Sequence, residues 1–128
     1  MAPRVSQIGH RVAAARAAIE NLRPDELAEE LANSGGGVLL VDVRSAGEHR
    51  SATIDGSINV PRGTIELALG GTADVDARVV LFSDTGARSA LAAAALYAIG
   101  YGDVAQLDGG LTAWSAAGLP VIGSATSG

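Results

Sequence analysis

Apolar positions in this 128-residue chain fall into two kinds of run, one with helical spacing and one without interruption. Val5, Ile8, Val12, Ala15 and Ile19 recur at steps of three and four, which draws a single apolar stripe along a helix over residues 4–20. Val38 to Val43 is continuous apart from Asp42, and Val79-Val80-Leu81-Phe82 is apolar throughout. Both runs predict strands buried on two faces, as in a parallel sheet. Ile58-Asn59-Val60, closed by Pro61, and Asp103 to Leu107 predict two shorter strands. Pro24 suits the first turn of a helix that has Asp25 and Glu26 at its start and Asn33-Ser34-Gly35-Gly36-Gly37 at its end. Ala46 to Ser51 and Thr64 to Leu69 predict short helices, and the alanine-rich stretch from Ser89 predicts a longer one ending near Gly100. Gly109-Gly110 then turns the chain into a helix carrying Trp114, which is expected in the core.

Strands alternating with helices predict an α/β fold, with a central, mostly parallel sheet, helices on both of its faces and an extra helix at the N-terminus. The expected organisation is an amphipathic extension at 1–23, a domain at 24–122 and a tail of disordered composition at 123–128. Gly70 to Asp76 is a polar, turn-rich link. No internal repeat is present.

Composition changes this picture in three ways. Aromatic residues are only 3% of a chain that is 48% hydrophobic, so small aliphatic side chains must fill the core. A net charge of -5 argues against nucleic acid as a partner, because phosphate backbones are bound by clustered positive charge. No apolar run approaches the roughly 18 residues of a membrane span, and no signal-peptide core precedes the first acidic residue, Glu20. The expectation is a cytoplasmic, bacterial protein. Its N-terminal stripe needs a cover, either the parent domain or a second copy of the chain in a homodimer.

There is no cysteine, and all nine basic residues are arginine. Disulfides, a thiolate nucleophile, iron–sulfur ligation, Schiff-base chemistry and a phosphate-loop lysine are therefore excluded. His10 and His49 stand far apart without ligand spacing, so neither a metal nor a cofactor is expected. His49 reads as a partly exposed surface residue of its short helix.

Candidate chemistry concentrates where the strand ending at Phe82 meets the next helix, in Ser83-Asp84-Thr85-Gly86-Ala87-Arg88-Ser89. Gly86 allows positive φ, and amides converging at a helix N-terminus make an anion cradle to which Arg88 can add a charge. Asp42 and Arg44 end the neighbouring strand at the same sheet edge and are candidates for supporting roles. The simpler expectation is that Asp42 caps backbone amides while Arg44 pairs with a carboxylate such as Glu48.

This loop resembles the active-site loop of rhodanese-type sulfurtransferases. The resemblance extends to Leu40-Val41-Asp42-Val43-Arg44, to Ile54-Asp55-Gly56-Ser57-Ile58-Asn59-Val60-Pro61-Arg62-Gly63, and to Leu107-Asp108-Gly109-Gly110-Leu111-Thr112-Ala113-Trp114 through Gly118-Leu119-Pro120-Val121. It covers roughly Pro24 to Val121 and implies a rhodanese-like three-layer fold. It also implies that Ser83 stands where the family carries its catalytic cysteine, and that Ala52-Thr53 replaces the Gly-His usual before Ile54.

In the family a thiolate takes the outer sulfur of thiosulfate as a persulfide and passes it to a nucleophile. A serine oxygen cannot carry sulfur this way. Three readings follow: a non-catalytic module binding a small anion such as thiosulfate or sulfate, or a protein partner; a sulfurtransferase whose cysteine has been replaced by Ser83; and a hydrolase or phosphatase using Ser83. Against the last, only four residues separate Ser83 from Arg88, and phosphatase loops of this kind hold five.

Overall fold

The computed structural model describes residues 4–70 and 74–123. Residues 71–73 of the polar link and 124–128 of the tail lie outside the described residues. Five parallel strands form one sheet: β1 (Glu20–Leu22), β2 (Val38–Asp42), β3 (Ile58–Asn59), β4 (Arg78–Phe82) and β5 (Val104–Leu107), in the order β1-β5-β4-β2-β3. Among the described residues six helices accompany it: α1 (Arg4–Ala18), α2 (Pro24–Asn33), α3 (Ala46–Ser51), α4 (Ile65–Gly70), α5 (Ala87–Ala98) and α6 (Gly110–Ala116). A 3-10 turn, Arg62–Thr64, leads into α4. The expected α/β architecture is therefore observed, and the sheet is parallel throughout.

The period of two along each strand divides the core into two layers. Val41, Val79, Leu81 and Val104 face α5 and α4, where Ala92, Ala93, Leu96, Ile65 and Leu69 meet them. Leu40, Val80, Phe82, Ala105 and Leu107 face the other way, toward Leu27 of α2 and Leu111 and Trp114 of α6. Alanines on α5 bring that helix close to the sheet, as a core short of aromatics requires. Trp114 is buried, and its indole N–H donates to Pro120 O at 2.8 Å.

Two boundaries differ from expectation. The N-terminal helix ends at Ala18, and Glu20–Leu22 forms the edge strand β1, paired in register with Ala105, Gln106 and Leu107. The residues assigned to the extension thus contribute a strand to the sheet. Asn21 explains the turn: its side-chain amide donates to Arg16 O at 2.9 Å and Ile19 O at 3.2 Å, satisfying a carbonyl that the last turn of α1 leaves open. α1 packs along α5, with Ala15 buried and Val12 and Ile19 half-buried, so the parent domain covers this part of the stripe.

At the amino edge of the sheet, the Arg78 guanidinium lies 2.8 Å from Glu30, 2.7 Å from Glu20 and 2.9 Å from Asp103. It ties the starts of β1, β4 and β5 to α2. The bond to Arg78 holds the Glu30 carboxyl below its usual range.

Candidate functional site

β2 and β4 are neighbours in the sheet, yet the chain leaves β2 toward β3 and leaves β4 toward β5. Their carboxyl ends therefore flank a topological switch point, the place where open parallel sheets hold ligands. Ser83 to Gly86 follow β4 there, Val43 and Arg44 follow β2, and Asp108 to Gly110 follow β5.

The loop folds around Ser83. Gly86 has φ 103° and caps α5, which lets the chain reverse directly into the helix. The amides of Gly86 and Ser89 both donate to Ser83 Oγ at 3.2 Å, and the Ser83 hydroxyl donates to Ser89 Oγ at 3.1 Å. Ser89 in turn faces Gln106 Oε1 at 2.8 Å and Gly86 O at 3.2 Å. Ser83, Ser89 and Gln106 are all buried.

A second element grips the loop from outside. The amides of Leu111 and Thr112, at the start of α6, donate to Ser83 O at 2.8 Å and Asp84 O at 3.0 Å. This approach is open only to glycine at position 110, where a Cβ would stand 2.4 Å from Asp84 O.

Asp42 and Arg44 form a buried pair beneath the loop. Asp42 Oδ1 accepts from the Arg44 amide and Nε, both at 3.0 Å, and Oδ2 accepts from Arg44 Nη2 at 2.8 Å and Thr53 Oγ1 at 2.9 Å. His49 Nδ1 lies 3.0 Å from the same Oδ2. Burial pushes the Asp42 carboxyl up, but its bonds to Arg44 and His49 outweigh this and hold it below the ordinary range. Arg44 also reaches Ala52 O and, at 3.1 Å, Asp84 Oδ1.

Asp42 thus caps a backbone amide as expected. Arg44, however, pairs with Asp42 and Asp84 rather than Glu48, because Glu48 is taken by Arg88. The Arg88 guanidinium lies 3.1 and 3.2 Å from the two Glu48 oxygens and 3.0 Å from Asp84 Oδ2. Its bond to Glu48 holds that carboxyl well below the usual range and raises the Arg88 guanidinium. The arginine therefore closes an ion-pair clasp between α3 and the loop instead of standing free over the cradle. His49 is partly exposed, as expected, and its ring also belongs to the Asp42 network, since α3 folds back over the end of β2.

Beside Asp84 lies a shallow depression of about 510 Å³ with Ala52, Leu111 and Val121 among its apolar walls and Thr112 and Ser115 as polar ones. Of the residues singled out in the sequence, Ser83, Gly86 and Ser89 share one bonded network and Asp42, Arg44, Asp84 and Arg88 a second, the two meeting along the loop backbone that Thr85 and Ala87 complete. Sequence reasoning missed Gln106, Thr53 and His49. Gln106 alone left a signal, a polar residue within Val104-Ala105-Gln106-Leu107.

Fold and site define a three-layer parallel α/β domain with a glycine-bearing strand-to-helix loop at its switch point. Residues 23–117 match the model of the rhodanese-like domain, and the chain belongs to that family. It is 34% identical to a sulfurtransferase of Allochromatium vinosum over 104 residues, 81% of this chain and 95% of that one. It is 37% identical over 95 residues to a probable adenylyltransferase/sulfurtransferase of Mycobacterium tuberculosis, covering 73% of this chain but only 24% of that one. Among solved structures, a Rhodopseudomonas palustris protein of unknown function, described as a possible tyrosine phosphatase, superposes with TM-score 0.81 at 30% identity, over 90% of this chain and 93% of that one. The polysulfide-sulfur transferase homodimer of Wolinella succinogenes gives TM-score 0.77 at 28% identity, over 92% and 88%.

Proposed function

We propose that this chain is a rhodanese-like module that does not carry sulfur itself and uses the Ser83–Ser89 loop to bind a small sulfur oxyanion or the acidic group of a protein partner. The observation that carries this reading is the state of Ser83, which the resemblance aligns with the family's nucleophile. Its hydroxyl is buried and spent within the loop, donating to Ser89 and accepting from two amides. A serine nucleophile needs a base to take its proton, usually an imidazole. Among the described residues the bonded partners of Ser83 Oγ are one hydroxyl and two amides, while His49 is engaged with Asp42. The same consideration disfavours a hydrolase or phosphatase, as does an Arg88 that is drawn to Glu48 and Asp84.

Attraction for an anion then rests on the first turn of α5, where the amides of Ala87 and Arg88 precede the intrahelical ladder. Asp84 opposes it, by about 1 kcal/mol for a solvent-screened charge at 4 Å. Binding of sulfate or thiosulfate should be weak, tightened by Asp84→Ala and weakened by Arg88→Ala. Titration of either anion followed by amide chemical shifts tests the reading. Saturable shifts at residues 84–89 support it; a folded domain whose loop does not respond overturns the anion role.

A second reading is a sulfurtransferase whose cysteine has been exchanged for serine. It is favoured by the two amides aimed at the residue-83 side chain, which would also stabilise a thiolate. Ser83→Cys incubated with thiosulfate tests it. The thiolate would attack the outer sulfur, the S–S bond of thiosulfate would break, and sulfite would leave with the electron pair. Formation of that persulfide supports a recently exchanged nucleophile, and its absence supports the binding module.

A further inference from the structure

The hydroxyls of the loop belong to a longer file of hydrogen bonds whose proton order is set at its far end. Asn21 Nδ2 faces two backbone carbonyls, Arg16 O at 2.9 Å and Ile19 O at 3.2 Å. A carbonyl only accepts, so the amide nitrogen must lie on that side and Oδ1 on the other. Oδ1 also only accepts. Gln106 must therefore present Nε2 to it, across 2.8 Å, and turn its own Oε1 toward Ser89. Ser89 then has to donate, either to Gln106 Oε1 at 2.8 Å or to the carbonyl of Gly86 at 3.2 Å. In both cases its proton points away from residue 83, and it offers that residue a lone pair. Ser83 donates into the lone pair at 3.1 Å and meets the amides of Gly86 and Ser89 with its own.

We infer that Ser89, Gln106 and Asn21 are positioning residues that fix the proton order at residue 83 and keep the atom there protonated and turned inward. An anion at that position would face two amides but also the lone pair of Ser89, where a donor is needed. The control reaches from the junction of α1 and β1, since Asn21 takes its orientation from Arg16 O and Ile19 O. The assignment rests on reading this loop as the functional site. Its test reads protonation rather than binding or turnover, so the two can fail separately.

The probe is the thiol of Ser83→Cys, titrated by the ultraviolet absorbance of its thiolate. Adding Ser89→Ala removes the acceptor that favours the protonated form. The thiolate-to-thiol ratio at fixed pH should rise about fivefold, the factor that one hydrogen bond of ordinary strength is worth. Adding Asn21→Ala to Ser83→Cys should shift the ratio in the same direction, because the Gln106 amide is then free to turn its nitrogen to Ser89 and release the Ser89 proton toward the sulfur. Asn21→Asp keeps an acceptor for Gln106 Nε2 and adds a negative charge, so it should not raise the ratio. Asn21 is exposed on an edge strand, so its variants decide the matter even where Ser89→Ala prevents folding. A lower ratio with Ser89→Ala overturns the proton order, and no response to Asn21→Ala overturns the control from the N-terminal junction.

Discussion

Removing the Asp42 carboxylate leaves the Arg44 guanidinium buried without its two shortest charged contacts. Breaking one side of a buried pair costs about 3–5 kcal/mol, well above the worth of an exposed ion pair. Asp42→Ala should therefore lower the free energy of unfolding in urea by that amount. An effect under about 1 kcal/mol would mean that water or Asp84 replaces the lost partner. Position 110 makes a steric counterpart. Gly110 has φ 63°, and a Cβ there would stand 2.4 Å from Asp84 O, so Gly110→Ala strains the backbone and pushes α6 off the loop. Gly9, exposed within α1, has nothing within 4 Å of a Cβ. Gly9→Ala should stabilise by up to about 1 kcal/mol through helix propensity, whereas Gly110→Ala should destabilise by a few kcal/mol. Opposite shifts of the thermal midpoint for the two variants check both statements.

Among the elements, β1 shows how far local pattern reaches. Glu20-Asn21-Leu22 has neither strand periodicity nor an apolar run, and its place in the sheet comes from partners distant in sequence: Arg78 for Glu20 and Gln106 for Asn21. By contrast, β2, β4 and α5 were legible, because buried parallel strands and the alanine run each act within a few residues. The loop was legible as a loop, but the pairing of its charges was not. Glu48 and Asp84 compete for two arginines, and only their distances decide which pairs with which. The same reasoning makes Arg78 a clasp for the amino edge. Arg78→Met should leave Glu20, Glu30 and Asp103 facing one another, and hydrogen exchange should quicken first at β1 and α2. Uniform exchange across the sheet would assign the clasp no local role.

For the whole molecule, the carboxyls of Glu30, Asp42 and Glu48 all lie below their ordinary values. As pH falls, the unfolded chain takes up protons on these groups before the folded one does, so stability is lost on the acid side. Urea midpoints should stay level from pH 7 to about 5 and fall steeply below about pH 4, where unpaired carboxylates titrate. A midpoint that holds at pH 3 would contradict the ion-pair assignments.

The central claim is that the domain keeps the rhodanese-like architecture and its loop while residue 83 does no sulfur chemistry. Steady-state transfer of sulfur from thiosulfate to cyanide, followed as thiocyanate, tests it most directly. No turnover above the uncatalysed rate is expected from the chain as it stands. Turnover that copurifies with the protein and disappears in Ser83→Ala would contradict the account.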